Sequence, residues 1–388
     1  MKQKQMLDLY SDYLLASFEA TTATGLSELL SGDVSHDQVT RYLSGEKKTS
    51  SDLWVTVKPF VRKVQSEIGV LIVDDSIEEK PYTDENDIVC WHYDHSKERH
   101  VKGINFVTAL YYAKKVSLPI GFHLVAKTET YIDKKTKKEK RRSPVTKNQV
   151  ALELIEQAVK NNIPFRFVLF DSWFSSKENM MKIKDELYKD FICPIKTNRK
   201  VALNLEDKQE GRFQSVDTIE IEANAAREIY LEGVSFPLLL AKQVFTNEDD
   251  STGTLYLVSS DTTLSFNDLT TSYQRRWQVE CYHKSLKQNV SLEKSPTQTE
   301  RTQTNHFFAA LCGFIKLEML KVKTKTNHFA LKSKLYIKAL HSAFSTLREL
   351  NPVQFAAQVT CRESDSRGHI HKKRQHKDVV LTPLSAVR

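Results

Sequence analysis

Residues 1–68 carry their apolar positions in a helical pattern, shown most sharply by SHDQVTRYLSG, residues 35–45. Ser35 stands as an N-cap, Gln38 takes the partner position of a capping box, and Gly45 marks a stop. Val39, Tyr42 and Leu43 are expected to face a core. His36, Gln38, Thr40 and Arg41 then face outward, on a short helix of the kind that lies in a DNA major groove.

From Gly69 the pattern changes. VLIVDDSI, INFVTALYYA and LPIGFHLVA are apolar, β-branched or aromatic runs and predict three strands. NQVALELIEQAVKNN returns to helical spacing, and FRFVLFDSWF predicts a fourth strand. SSKENMMKIKDELYKD predicts a helix capped by Ser175 or Ser176, and FICPIK a fifth strand. That order implies an α/β fold with a mixed sheet. Between about 197 and 258, DTIEIEA, REIYLEG, FPLLLAKQVF and GTLYLVSS follow as strand-like pieces with no helix expected between them. SFNDLTTSYQRRWQVECYHKSLKQN reads as one long helix starting near Ser265 or Asn267. Two or three further helices to about Ala357 and a polar, basic tail complete the chain.

The 388 residues, 40% hydrophobic and 27% charged, have the make-up of a globular protein of two or three domains. No apolar run approaches the ~20 residues that span a bilayer. Charges scattered through the first twenty residues do not make a signal peptide. Cys90, Cys193, Cys281, Cys312 and Cys361 are widely separated, the pattern of reduced cytoplasmic thiols and not of a disulfide frame or a zinc site. The net charge of +8 is concentrated: residues 127–147 hold nine Lys/Arg against three Asp/Glu, including Lys134, Lys135, Lys137 and Lys138. A second basic stretch, HIHKKRQHK, covers residues 369–377. Such clusters suit a polyanion.

The candidate chemistry lies in acids. Asp75 and Asp171 each fall at or near the end of an apolar strand, and in YQRRWQVECYHKSLK a third acid, Glu280, sits on a predicted helix. Tyr273, Arg276, Glu280 and Lys287 have offsets of 0, 3, 7 and 14, which at about 100° per residue puts them within about 60° of arc. Asp74 alternates to the other face of its strand, and Asp75 is taken as the ligand because the Ser76 hydroxyl follows it. Three carboxylates brought together suit hard divalent cations, with two Mg²⁺ (or Mn²⁺) ions serving phosphodiester chemistry.

These residues resemble a bacterial insertion-sequence transposase of the DDE type, and specifically the insertion sequence 4 family, whose third acid lies in Y-x2-R-x3-E-x6-K. Tyr273, Arg276, Glu280 and Lys287 match that signature at every spacing, Asp75-Ser76 matches the first acid, and Asp171 with Phe174 matches the second. The resemblance implies an RNase H-like core interrupted by a β-rich insertion, which the gap 280 − 171 = 109 accommodates. It divides the chain into a helical DNA-binding region (1–68), a first core part (69–196), the insertion (197–258), a last core part (259–295) and a helical C-terminal region (296–388). It also implies that Asp75, Asp171 and Glu280 hold two metal ions, while Tyr273, Arg276 and Lys287 contact phosphates. The substrate is then double-stranded DNA, cut at terminal inverted repeats and joined to a target by a dimer, in the bacterial cytoplasm. Trp173 or Trp277 is placed to stack on an extruded base. Two alternatives share the core: a stand-alone metal-dependent nuclease, and a transposase-derived DNA-binding protein that no longer cuts. A glycosidase using two carboxylates is disfavoured by the basic charge balance.

Overall fold

A computed structural model describes residues 3–94, 97–246 and 249–349. Cys361, the basic stretch at 369–377 and the expected helical residues toward Ala357 lie outside the described residues. The chain divides into two compact units, Met1–Leu331 and Lys332–Arg388.

Four helices open the first unit: α1 (Gln3–Ala16), α2 (Ala23–Leu29), α3 (His36–Leu43) and α4 (Ser50–Val64). Side chains satisfy the free N–H groups at three of their starts. Thr22 caps α2, Ser35 and Gln38 form the capping box of α3, and Thr49 and Asp52 form that of α4. Val39 and Leu43 are buried, while His36, Thr40 and Arg41 are exposed, as the sequence pattern predicts.

The sheet begins with β1 (Val70–Glu79), β2 (Val89–Asp94), β3 (Arg99–Ala113) and β4 (Val116–Leu124). A separate hairpin follows, β5 (Glu129–Ile132) with β6 (Glu139–Arg142), so the basic segment is a two-stranded ribbon and not a loop. Next come α5 (Lys147–Lys160), β7 (Phe167–Leu169), α6 (Lys177–Met181, capped by Ser176 and continued by a π turn over Lys182–Glu186) and β8 (Asp190–Pro194). The following segment holds β9 (Lys200–Ala202), α7 (Leu205–Gln209), β10 (Gln214–Ser215), β11 (Ala225–Leu231), β12 (Leu238–Thr246) and β13 (Thr252–Ser259). Two expectations fail here. DTIEIEA is not a strand, since Val216–Thr218 form a 3₁₀ turn, and the short helix α7, capped by Asn204, does interrupt the strands.

One mixed sheet unites these strands in the order β10-β9-β11-β12-β13-β8-β7-β1-β3-β2, with β4 also on β3. β1, β7 and β8 run parallel; β3 is antiparallel to β1, and β13 to β8. The strands β9 to β13 therefore continue the same sheet outward from β8.

The helices α8 (Phe266–Gln274), α9 (Trp277–Asn289), α10 (Glu300–Thr324) and α11 (His328–Glu349) complete the described chain. α8 starts on Ser265. Helices cover both faces of the sheet. On one face α5 packs so closely that a Cβ on Gly121 would lie 2.7 Å from Leu154. On the other, Phe307 of α10 packs with its ring tilted against Phe106 and Phe122, and His283 of α9 meets Thr108. α10 also ties in the N-terminal helices: His306 bonds the Tyr10 hydroxyl, and the Asn305 amide donates to the Leu43 carbonyl.

Candidate active site

β1 does not end at its aspartates. It pairs with β3 along its whole length to Glu79, whereas its parallel partner β7 leaves it after Ile72. Asp74 and Asp75 thus sit mid-strand, beside the gap that opens where β7 stops. Asp171 lies two residues beyond the end of β7, in that same gap. Its Oδ1 accepts the backbone N–H of Trp173 at 2.9 Å, which fixes the carboxylate at the turn.

Pleating sends the two neighbouring aspartates to opposite faces. Asp74 is buried on the α9 face, where it accepts a bond from Arg276 Nη1 at 3.2 Å. Asp75 lies on the α5 face, partly accessible; its Oδ2 accepts from Asn105 Nδ2 at 2.8 Å and from Lys147 Nζ at 2.9 Å. Asp171 responds to both sides. Burial, then the charge of Asp171, push the Asp74 carboxyl well above its ordinary range. Burial and, among its neighbours, the charge of Asp75 likewise raise Asp171, against the pull of the Trp173 N–H.

The helix predicted across residues 265–289 is broken. α8 stops at Gln274 and α9 starts at Trp277, with Arg275 and Arg276 in a tightened turn where N–H groups reach three residues back instead of four. Tyr273 nonetheless stays on the side of the acids: its ring lies 6.0 Å from the Arg276 guanidinium, and its phenol interacts with the charges of Asp171 and Asp74. Arg276 bridges the joint: Nη1 holds Asp74 and Nη2 holds Glu280 at 3.2 Å. Glu280 is thus drawn toward the strand acids through a shared cation. One turn farther along α9, His283 is buried, which pushes its imidazole down to about 3. Lys287 donates to the Ile77 carbonyl at 2.9 Å and pairs with Glu293 at 3.4 Å.

Four carboxylates thus form one electrostatic cluster, with Arg276 and Lys147 as its bonded counter-charges. An excess of hard oxygen donors fits a divalent cation in its chemistry. Among the described residues no three His, Cys, Asp or Glu side chains stand close enough to hold one ion together. Arg276 and Lys147 instead occupy the Asp74, Glu280 and Asp75 carboxylates.

Of the remaining expected contacts, Trp173 borders this cluster, its N–H on Asp171 and its ring 5.2 Å from Lys147 Nζ. Lys134, Lys135, Lys137 and Lys138 are exposed at the turn of the β5–β6 hairpin, which Asp133 organises by accepting from the Lys135 and Thr136 N–H groups. Arg41 is exposed on α3. Trp173 and Trp277 are 47% and 64% exposed, so neither is a core residue. Sequence reasoning missed Asn105 and Lys147 as partners of Asp75 and gave Asp74 no role. The alternation of β3 was the only signal for Asn105, and Lys147 was submerged in its basic segment.

Residues 1–212 match the family described as DDE superfamily endonuclease, and residues 136–314 match the transposase DDE domain. No curated protein matches the chain. Among solved structures, endonuclease V from Bacillus subtilis is similar over 72% of this chain and 96% of its own, at 13% identity and a TM-score of 0.24, too low to carry an argument.

Proposed function

This chain belongs to the DDE superfamily endonucleases, and from that premise we propose that it is a cut-and-paste transposase of the insertion sequence 4 type. Its families are transposases and endonucleases, which act on DNA. The finer reading is that it binds the terminal inverted repeats of its own element, cleaves the ends and joins them to target DNA. It would act as a dimer in the bacterial cytoplasm, through an RNase H-like core made of residues 69–196 and 259–295. The observation that carries the reading is the Arg276 bridge, which reaches across 202 residues of sequence to the mid-strand Asp74 while holding Glu280, beside Asp75 and Asp171.

Asp171 and Glu280 would hold the divalent cations together with an aspartate of β1. The expected ligand Asp75 faces α5, so Asp74, which shares the α9 face and the Arg276 bridge with Glu280, fits that place better. When bound, such cations supply activation of the attacking water or 3′-hydroxyl and neutralise the leaving oxygen. Asp74 positions Arg276, whose planar fork suits a phosphate. The exposed lysines of the β5–β6 hairpin and Arg41 of α3 supply backbone contacts, which set affinity and register and not sequence.

The test is plasmid excision with matched inverted repeats. Cleavage is expected to need Mg²⁺ or Mn²⁺. Asp171→Asn is expected to abolish it with DNA affinity retained, since a carboxamide is a poor ligand for a hard cation. Full cleavage by that variant refutes the site. Nicking without joining by the wild type under every condition replaces the transposase with a plain nuclease.

A further inference from the structure

β2 is the last strand of the sheet and pairs with β3. Its alternation sends Cys90 and His92 inward and leaves Trp91 and Tyr93 in solvent, 52% and 46% exposed. Apolar surface exposed in one patch with polar groups around it marks an interaction site. Directly opposed residues share a face of a sheet. Lys102 therefore stands beside Trp91, and His100 beside Tyr93, their rings edge to face at 5.3 Å. Glu85 Oε1 accepts from Trp91 Nε1 at 2.8 Å, and its Oε2 from Arg141 Nη2 at 3.0 Å. One carboxylate thus holds the indole by its edge, ties it to the basic β5–β6 hairpin and has its own charge met by Arg141. Glu79 at the end of β1 is likewise shared between Lys97 and Arg99. The two rings sit in a cationic frame whose acids are already paired.

Spacing separates a duplex from a single strand. Trp91 and Tyr93 are about 6.8 Å apart along β2, at ~3.4 Å per residue. Stacked nucleotides rise only about 3.4 Å each along a strand, and within a duplex the base faces are covered. Only a strand that is unpaired and extended can lay bases on both rings. The place is within reach of the acids. Lys102 lies on the same face of β3 as Thr108, the partner of Asp74, and about 20 Å along the strand from it.

Resting on the DNA-acting reading above, we propose that Trp91 and Tyr93 form a stacking platform for an unpaired DNA strand, with Lys102 and the β5–β6 hairpin holding its phosphates. The platform takes bases by their faces and so reads no sequence. It gives the protein a grip on strands that have come apart near the acids. The exposed lysines alone, drawn to any phosphate, do not make that distinction.

Fluorescence anisotropy in EDTA tests this without turnover, using a labelled mixed-sequence single strand and the same strand annealed to its complement. Trp91→Ala is expected to weaken single-strand binding by about 5- to 150-fold, the range for one lost stacked base, and duplex binding by less than about twofold. Trp91→Phe, which keeps a ring, is expected to retain most of the affinity. Trp91→Leu keeps apolar bulk without an aromatic face; it is expected to lose affinity as the Ala variant does, and it stands in should that variant not fold. Tyr93→Leu is expected to act in the same direction. Unchanged single-strand affinity in Trp91→Leu and Tyr93→Leu, with duplex binding intact, overturns the platform and leaves the DNA reading standing. Loss of a self-associated species in Trp91→Leu at unchanged single-strand affinity also overturns it and gives the face to a second copy of the chain. No binding of either DNA form by the wild type overturns the DNA reading, and the platform with it.

Discussion

The guanidinium of Arg276 holds the buried carboxylate of Asp74 at 3.2 Å, and with its other terminal nitrogen it holds Glu280 at the same distance. One side chain thus fastens α9 to β1 at the joint where α8 ends. Removing it leaves Asp74 buried among three other acids with no bonded counter-charge. Arg276→Ala is expected to lower the unfolding free energy by about 2 kcal/mol in chelator, the scale of lost charged hydrogen bonds. Arg276→Lys should recover part of that loss, because a single ammonium cannot serve both carboxylates as the fork does. Urea denaturation of the three proteins checks the order.

The metal-free site should weaken the protein as pH rises. Asp74 holds its proton to a higher pH when folded than its ordinary value of 3.8. Between those two values the folded state binds more protons than the unfolded chain, so stability falls as pH increases. The contribution is fully present below the ordinary value and is lost as pH climbs through the folded one. Asp74→Asn is therefore expected to be the more stable protein at pH 7, with the advantage gone near pH 4. Denaturation curves in EDTA across that range measure it. An advantage that grows on acidification contradicts the burial of Asp74.

The β5–β6 hairpin should carry part of the salt dependence of DNA binding. Lys134, Lys135, Lys137 and Lys138 are exposed around its turn. Each phosphate contact removed should reduce the slope of log K against log salt by about 0.9. Replacing all four with Gln is expected to flatten the slope by roughly 2–4 units, with folding unchanged, as measured by fluorescence anisotropy on a transposon end.

Lys287 should separate joining from nicking. Its ammonium is parked on the Ile77 carbonyl and Glu293, about two turns of α9 beyond Glu280 and away from the bonded acids. In its proposed role as a phosphate contact for the strand end it would serve alignment and not metal binding. Lys287→Ala is expected to slow joining of pre-cleaved ends by about 10- to 100-fold, the cost of misplacing an aligned reactant, while nicking of uncut ends changes by less than about threefold. Equal losses in both assays would make Lys287 a structural residue.

The sequence made some of this legible and hid the rest for physical reasons. The capping box at Ser35 and Gln38 and the opposed faces of Asp74 and Asp75 follow from local periodicity, which the chain obeys. Which face α9 covers was not legible, because Phe106 and Val107 are apolar on both sides of β3 and offer no preference. The break at Arg275 and Arg276 was hidden because QRRW contains no Gly or Pro; tertiary contacts, including Arg275 on the Ile68 carbonyl, hold it. β2 was missed because VCWHYD mixes a buried Cys90 and His92 with an exposed Trp91 and Tyr93, too short a run to stand out. The pairing of Lys147 with Asp75 joins residues 72 apart and leaves no periodic trace.

The strands that follow β8 bear on the solubility of the whole chain. β13 pairs with β8 through Leu257, Val258 and Ser259 and so covers the backbone of Ile192, Cys193 and Pro194. Cutting out residues 197–258 would not return a minimal nuclease. It would uncover a raw apolar border, with unpaired amides and carbonyls ready to stitch one molecule to the next. The segment is a selvedge woven into the cloth, and a chain trimmed along it should be recovered as aggregate.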